Sequence, residues 1–273
     1  MSVINTNVSA LRAQNAMTAN ARAQSTAMEQ LSTGSKVNSA KDDAAGLAIG
    51  QSMTSQIRGL NQAVRNLNDG INMMQTAEGA LVETSNMLQR MRELAVQSSN
   101  GTLSDPQRGY LQTEFTALSA QIGKISTDTK WNDQSVLSSA TTFTFQAGMS
   151  SGQTIAVAIG AMGAGDLTLA TANASIAVSI TNATAAITSV DAAIATVASA
   201  RATIGAGINQ MTYAVDNLSN VAANTAASRS TIMDTDYATA STQLSRTQII
   251  QQAATAMLAQ ANQQPQSVLA LLK

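Results

Sequence analysis

Ile57-Arg-Gly-Leu60-Asn-Gln-Ala-Val64-Arg-Asn-Leu67-Asn-Asp-Gly-Ile71-Asn-Met-Met74 sets a large apolar side chain at alternating steps of three and four residues. That spacing keeps one narrow stripe on one side of an α-helix. The row skips Glu78, resumes at Leu81, skips Ser85 and continues through Leu88 to Ala95. A second row with the same rhythm runs Ile180, Ala183, Ile187, Val190, Ile194 and Val197, skips Arg201, and continues through Ile204, Ile208, Met211, Val215 and Leu218. At about 1.5 Å per residue, each row predicts a rod of roughly 58 Å. Stripes of this length must be covered lengthwise. The expected fold is therefore mainly α, a long antiparallel, coiled-coil-like rod. Its seam is read as Ile57, Leu60, Val64, Leu67 and Ile71 against Ile187, Ile194, Ile208 and Val215. Periodicity alone does not separate a monomeric bundle from a rod that assembles.

Composition narrows what such a rod can do. Of 273 residues, 44% are hydrophobic, yet there are only three Phe, three Tyr and one Trp. A large globular core uses more rings, so thin helix seams are expected. Fifteen basic and sixteen acidic side chains leave a formal charge of -1. With no basic run to neutralise a phosphate backbone, no nucleic-acid partner is expected. Cysteine and histidine are absent. That removes disulfides, thiolate metal sites, the commonest general base and the commonest zinc ligand. Asp42 and Asp43 read as helix caps rather than as catalytic acids. No catalytic residue, cofactor or metal ligand is named. No stretch holds 18 uninterrupted apolar residues, and the first eleven lack a charged region ahead of an apolar run. A soluble chain is expected, with no membrane insertion and no cleaved Sec-type leader. Export by a machine that reads an uncleaved terminus stays open.

Along the chain, Met1 to Leu31 reads as a helix with a loose stripe of Ile4, Val8, Leu11, Met17, Ala21, Met28 and Leu31, broken at Thr33, Gly34 and Ser35. The first long helix should end near Gln97, and Asp105 ahead of Pro106 should cap the next, striped by Leu111, Phe115, Leu118, Ile122 and Ile125. Alternation at 142–146 and 154–159 around a Gly-rich turn predicts a small β-hairpin region. The second long helix should end near Ala227, and a last helix should run from about Asp234 to Gln263, with Pro265 interrupting it before Val268, Leu269, Leu271 and Leu272. Both terminal stripes are Ala-rich and poor in charge. They are expected to be disordered in the free chain and to order together on assembly.

Several stretches resemble one family. Lys36-Val-Asn-Ser-Ala-Lys-Asp-Asp-Ala-Ala-Gly-Leu-Ala-Ile49 is similar to the amino-terminal signature of bacterial flagellins. Ala256-Met-Leu-Ala-Gln-Ala-Asn-Gln263, with Pro265, Gln266 and Val268 to Leu272, is similar to its carboxyl-terminal counterpart. Gln89 to Val96, Phe145-Gln146 with Gly152 to Ile155, and Arg229-Ser230 with Ile232, Asp234 and Asp236 also fit. The resemblance implies a structural, non-enzymatic subunit that polymerises into the extracellular flagellar filament, in a short form with little or no outer domain. It implies that residues 1–43 and 229–273 form the two halves of the filament-core coiled coil. Residues 44–228 would form the rod, including a β region at about 137–170. Ile4, Val8, Leu11, Ile250, Met257, Leu258, Val268, Leu269 and Leu272 are assigned to subunit assembly. Trp131-Asn132-Asp133 departs from the usual Phe-Asn-Gly, so that turn is expected to differ, and Ala240 stands where an acid is common.

The same resemblance implies partners. They are other copies of the chain, the flagellar export apparatus, a flagellin export chaperone, the filament cap and hook-junction proteins. It also implies recognition of the monomer by toll-like receptor 5 through Gln89, Arg90, Leu94 and Glu114. Read as residues alone, Arg90 and Leu94 are one helical turn apart and Glu93 can pair with a neighbouring Arg, which is ordinary helix surface. A hook-filament junction protein and a surface flagellin-like adhesin that binds polysaccharide are the alternatives. A chemoreceptor signalling rod would need a membrane span.

Overall fold

Long apolar rows and strong helix formers leave little choice of local structure, and the chain is mainly helical. A computed structural model gives the architecture of residues 6–169, 176–177 and 179–270, with side chains described to residue 263. Among these residues five helices form: α1 (Val8–Thr33), α2 (Ala44–Ser98), α3 (Asp105–Asp128), α4 (Ile180–Met233) and α5 (Tyr237–Ala270). Two antiparallel hairpins lie between α3 and α4 in sequence, β1 (Lys130–Trp131) with β2 (Gln134–Ser135) and β3 (Thr141–Gln146) with β4 (Thr154–Ile159). The chain divides into two compact units, Met1–Ile57 with Ala223–Lys273, and Arg58–Ala222. The division falls inside α2 and α4.

In the unit Arg58–Ala222, the core lies among α2, α3, α4 and the β3–β4 hairpin. On α2 most of the buried residues form two rows, each with a seven-residue step. Leu60, Leu67, Met74, Leu81, Leu88 and Ala95 make one; Ala63, Gly70, Ala77, Thr84, Met91 and Ser98 make the other. The first row was legible as apolar periodicity. The second was assigned one residue too far along, at Val64 and Ile71, which are only half-buried. The same shift occurs on α4. Ala183, Val190, Val197, Ile204 and Met211 are buried as read, while Ala186, Ala193 and Gly207 take the place expected of Ile187, Ile194 and Ile208. Ile71, Ile187, Ile194, Ile208 and Val215 pack against the core from its margin. Small residues at the centre let helices approach closely, and the larger branched neighbours close the flanks.

Two glycines seat the hairpin. A Cβ on Gly70 of α2 would lie 2.8 Å from the Phe145 ring and 3.1 Å from the Met211 sulfur. One on Gly207 of α4 would lie 2.7 Å from a Val157 methyl. Ile155, Val157 and Ile159 alternate inward from β4, as a half-buried strand requires. Residues 160–169, where sequence was uninformative, add Met162, Leu167 and Leu169 to the core.

Local corrections have local causes. Ser104, not Asp105, is the N-cap of α3; the Gln107 side chain accepts from the Ser104 N–H at 2.9 Å, and Pro106 sits in the first turn. The Trp131-Asn132-Asp133 turn closes β1 on β2 with both Asn132 (φ 48°) and Asp133 (φ 63°) left-handed. Asn and Asp tolerate that region better than other non-glycine residues. Helix α5 continues past Pro265 to Ala270. An 18-residue window of α4 reaches a mean hydropathy of 1.4 and is apolar enough to cross a membrane by composition, but the helix spends its stripe on the core above.

In the unit Met1–Ile57 with Ala223–Lys273, α1 and α5 run side by side and antiparallel. Asn7 Nδ2 donates to the Ala261 carbonyl at 2.8 Å, Asn20 Nδ2 to the Thr247 carbonyl at 2.8 Å, and Tyr237 Oη to the Leu31 carbonyl at 3.2 Å. In this conformation the ends are thus paired helices within one chain. The turn between α1 and α2 pairs with that between α4 and α5. Lys36 N–H donates to the Met233 carbonyl at 2.6 Å and Thr235 N–H to the Gly34 carbonyl at 3.0 Å. The two acids before α2 divide their work. Asp43 accepts from the Gly46 N–H at 2.9 Å and caps the helix, while Asp42 holds the Ser39 hydroxyl at 2.8 Å.

Candidate functional site

Two surfaces collect the residues singled out by sequence, one in each unit. The first is on the paired ends. The α1–α5 seam is narrow, and its buried residues are Asn20 and Ala27 on α1 and Ala240 and Thr247 on α5. Large apolar side chains remain outside it. Val8, Leu11 and Met28 are exposed on α1, and Ile249 (66%), Ile250 and Met257 (64%) on α5, while Leu258 is half-buried. Ile4 and Leu272 lie outside the described residues, and Val268 and Leu269 fall in α5 where side chains are not described. A helix pair holding this much uncovered apolar surface has paired without satisfying its hydrophobic faces.

The second surface lies on α2 and α3. Arg90 Nε meets the Glu114 carboxylate at 2.9 Å and its Nη1 meets Glu93 at 2.9 Å, with all three side chains about half exposed or more. The two carboxylates, Glu114 foremost, hold the Arg90 guanidinium above its ordinary pKa. Gln89 is exposed beside them. Leu94 is not part of this surface: it is 1% exposed and belongs to the core. Met73, Ala80, Met87 and Leu94 form a third seven-residue row on α2, on the side where Arg90 reaches α3. An i to i+4 relation gives two residues a common face, and here that face carries a helix. Nearby, Arg92 meets Asp191 of α4 at 2.6 Å, beside an open groove of about 650 Å³ that Gln89, Val96 and Ile194 help line.

Among the described residues, no three His, Cys, Asp or Glu side chains gather into a metal site. Long paired helices, uncovered apolar ends and an ordinary salt-bridged surface define the class of helical structural proteins that build assemblies. Residues 4–142 match the family described as bacterial flagellin N-terminal helical region, and residues 187–272 the bacterial flagellin C-terminal helical region. The chain belongs to the bacterial flagellin family. It is 43% identical over 272 residues to a flagellin of Halalkalibacterium halodurans, covering 99% of this chain and 100% of that one. With a flagellin of Xenorhabdus nematophila it is 41% identical, covering 100% and 99%. The crystal structure of Bacillus cereus flagellin aligns at 30% identity with a TM-score of 0.50, covering 56% of this chain and 88% of that one. A putative flagellar hook-associated protein of Vibrio parahaemolyticus shares the fold at 16% identity, with a TM-score of 0.60 over 70% of this chain and 99% of that one. As a flagellin, the chain is a structural subunit and not an enzyme, and it self-assembles into the extracellular filament of the bacterial flagellum.

Sequence reasoning missed Asn7 and Asn20. Polar residues inside an Ala-rich stripe carry no apolar signal, although an Asn just ahead of a helix and another at a stripe position were both visible.

Proposed function

We propose that the paired ends, residues 1–43 with 229–273, are the surface through which copies of this chain polymerise, forming the coiled coil at the filament core. The observation that carries the reading is the exposure of Val8, Leu11, Ile249, Ile250 and Met257 on helices that are already paired. Burying such a side chain is worth about 1.5 to 3 kcal/mol, so neighbouring copies gain by covering them. Ile4, Leu258, Val268, Leu269 and Leu272 are assigned to the same surface. Residues 44–228 form the surrounding rod. The chain is delivered by the flagellar export apparatus with an export chaperone, without loss of a cleaved leader, and is placed among filament cap and hook-junction proteins.

Deleting residues 1–31 or 249–273 should leave a helical monomer that forms no filaments by seeded electron microscopy. Filaments from either truncation would overturn the reading. Within the same proposal, the Gln89, Arg90 and Glu114 surface is read by toll-like receptor 5 on the monomer. Arg90→Ala should weaken activation of receptor-bearing cells several-fold at unchanged helicity. Activation by the parent monomer that Arg90→Ala leaves intact would remove this part alone.

A further inference from the structure

We infer that Asn100-Gly101, in the turn between α2 and α3, is a site of self-modification at which the Asn100 amide leaves as ammonia and an isoaspartate takes its place. It is the one Asn-Gly pair in the sequence. It lies just past the end of α2 at Ser98, outside the helical backbone that keeps a side chain away from the following nitrogen, and both residues are exposed. Gly101 has no Cβ to shield that nitrogen. The Asn100 side chain is folded onto its own backbone, with Oδ1 accepting from the Thr102 N–H at 3.2 Å, a turn that Asn makes readily with the residue two further on. This fold holds Cγ beside the Gly101 nitrogen, as a near-attack arrangement requires.

The reaction has two steps, and the carbonyl attacked in each has a donor on its oxygen. In the first, the Gly101 nitrogen gives up its proton and bonds to Asn100 Cγ. The Cγ–Nδ2 bond breaks, ammonia leaves with that proton, and a cyclic imide remains. Negative charge builds on Oδ1, where the Thr102 N–H points. In the second, water adds to one of the two imide carbonyls, and the bond from that carbon to the Gly101 nitrogen breaks. The nitrogen keeps one of the water's protons, the other goes to solvent, and a carboxylate is left. Attack at Cγ gives Asp. Attack at the Asn100 main-chain carbon gives isoaspartate, whose free carboxylate contains the former main-chain oxygen. That oxygen already accepts from the Leu103 N–H and from Arg108 Nη2, both at 3.3 Å. The Arg108 side chain is 8% exposed, its Nε has no partner among the described residues, and Asp105 lies 3.9 Å away on a side chain 83% exposed. A buried cation so thinly paired gains a counter-ion when the ring opens on its side. The product is a carboxylate at the α2–α3 turn, paired with Arg108, that the gene does not encode.

Trypsin releases residues 93–108, in which Asn100 is the sole Asn. In full-chain monomer held folded at neutral pH and body temperature, this peptide should gain the mass of an amide-to-acid change faster than peptides holding any other Asn, and faster still in mild alkali. Electron-transfer fragmentation then separates isoaspartate from Asp. Gly101→Ala should slow the change at least several-fold at unchanged helicity, since a Cβ there meets only Ile180 Cδ1 at 3.9 Å and the Gly101 φ is outside the left-handed region. The ratio of isoaspartate to Asp should be several-fold higher in the folded chain than in chain unfolded in urea, and Arg108→Met should return it to the unfolded value. If Arg108→Met does not fold, the comparison of folded and urea-unfolded parent decides alone. An Asn100 that stays intact in the folded monomer while it deamidates in urea overturns the site. Equal isoaspartate ratios in folded and unfolded parent overturn the part given to Arg108.

Discussion

Glu78 and Arg201, the two charged residues at which the apolar rows of α2 and α4 break, meet each other at 3.6 Å. Both side chains are more than a third exposed, so solvent screens the pair and its coupling should be no more than about 1 kcal/mol. A double-mutant cycle with Glu78→Ala and Arg201→Ala, followed by urea unfolding, should show that coupling at low salt and lose most of it at high salt. A coupling indifferent to salt would contradict a screened ion pair.

Two helical glycines should respond in opposite directions to the same change. Gly79 has nothing near the position a Cβ would take, so Gly79→Ala should stabilise by about 0.5 to 1 kcal/mol through helix propensity. Gly207→Ala drives a methyl to 2.7 Å from Val157 and should destabilise by about 1 to 3 kcal/mol by overpacking. Thermal unfolding of the two variants decides it. Equal gains in both would mean that the hairpin does not seat on α4.

Arg90 and Leu94 should separate cleanly in stability. Leu94→Ala opens a cavity in the core and should cost about 2 to 5 kcal/mol, whereas Arg90→Ala, on a half-exposed side chain, should stay within about 1 kcal/mol. Chemical denaturation of each monomer measures this. A Leu94→Ala variant as stable as the parent would place that side chain back on the surface.

Asp236 accepts from the Thr239 hydroxyl at 2.8 Å and the Ala238 N–H at 2.9 Å. The hydroxyl first, then the backbone donors, hold its carboxyl below the ordinary value of 3.8. A folded-state pKa below the unfolded one contributes stability that is present above the unfolded value and is lost as pH falls through the lowered one. Asp236→Ala should therefore unfold at a lower temperature than the parent at neutral pH, and the two curves should converge below about pH 4. A gap that persists unchanged into acid would show that the cap does not act through its charge.

The pattern of what was legible follows from what a sequence signal contains. Leu67, Leu81, Val190 and Val197 were found because their bulk and spacing coincide with burial. Ala63, Gly70, Ala77, Ala186 and Gly207 were passed over for larger neighbours, since hydropathy rewards size and close helix packing rewards its absence. Leu94 was misplaced because one stripe was expected of α2, and a helix that meets α3 as well as α4 needs a second face. The Asn132–Asp133 turn and the two-residue strands it joins are too short for any periodicity. Pro265 was read as a break because it removes a backbone donor, yet one missing rung does not end a helix of 34 residues. Asn7 and Asn20 show the same limit. Their identities were plain, but the carbonyls they choose are more than two hundred residues away in sequence.

The small-residue rows on α2 and α4 make the interior unequal in what it tolerates. Where Ala63, Ala77, Ala186 and Ala193 already stand, little volume remains to be removed, so loss of atoms there costs mainly helix propensity, about 1 kcal/mol for Gly. Gain costs more, because each added carbon pushes apart two backbones that meet without intervening side chains. Over generations such an interior can drift among Ala, Ser and, at that modest cost, Gly while refusing Val or Leu. Random substitution should therefore leave these columns short of bulk rather than fixed in identity, a one-way ratchet on side-chain size.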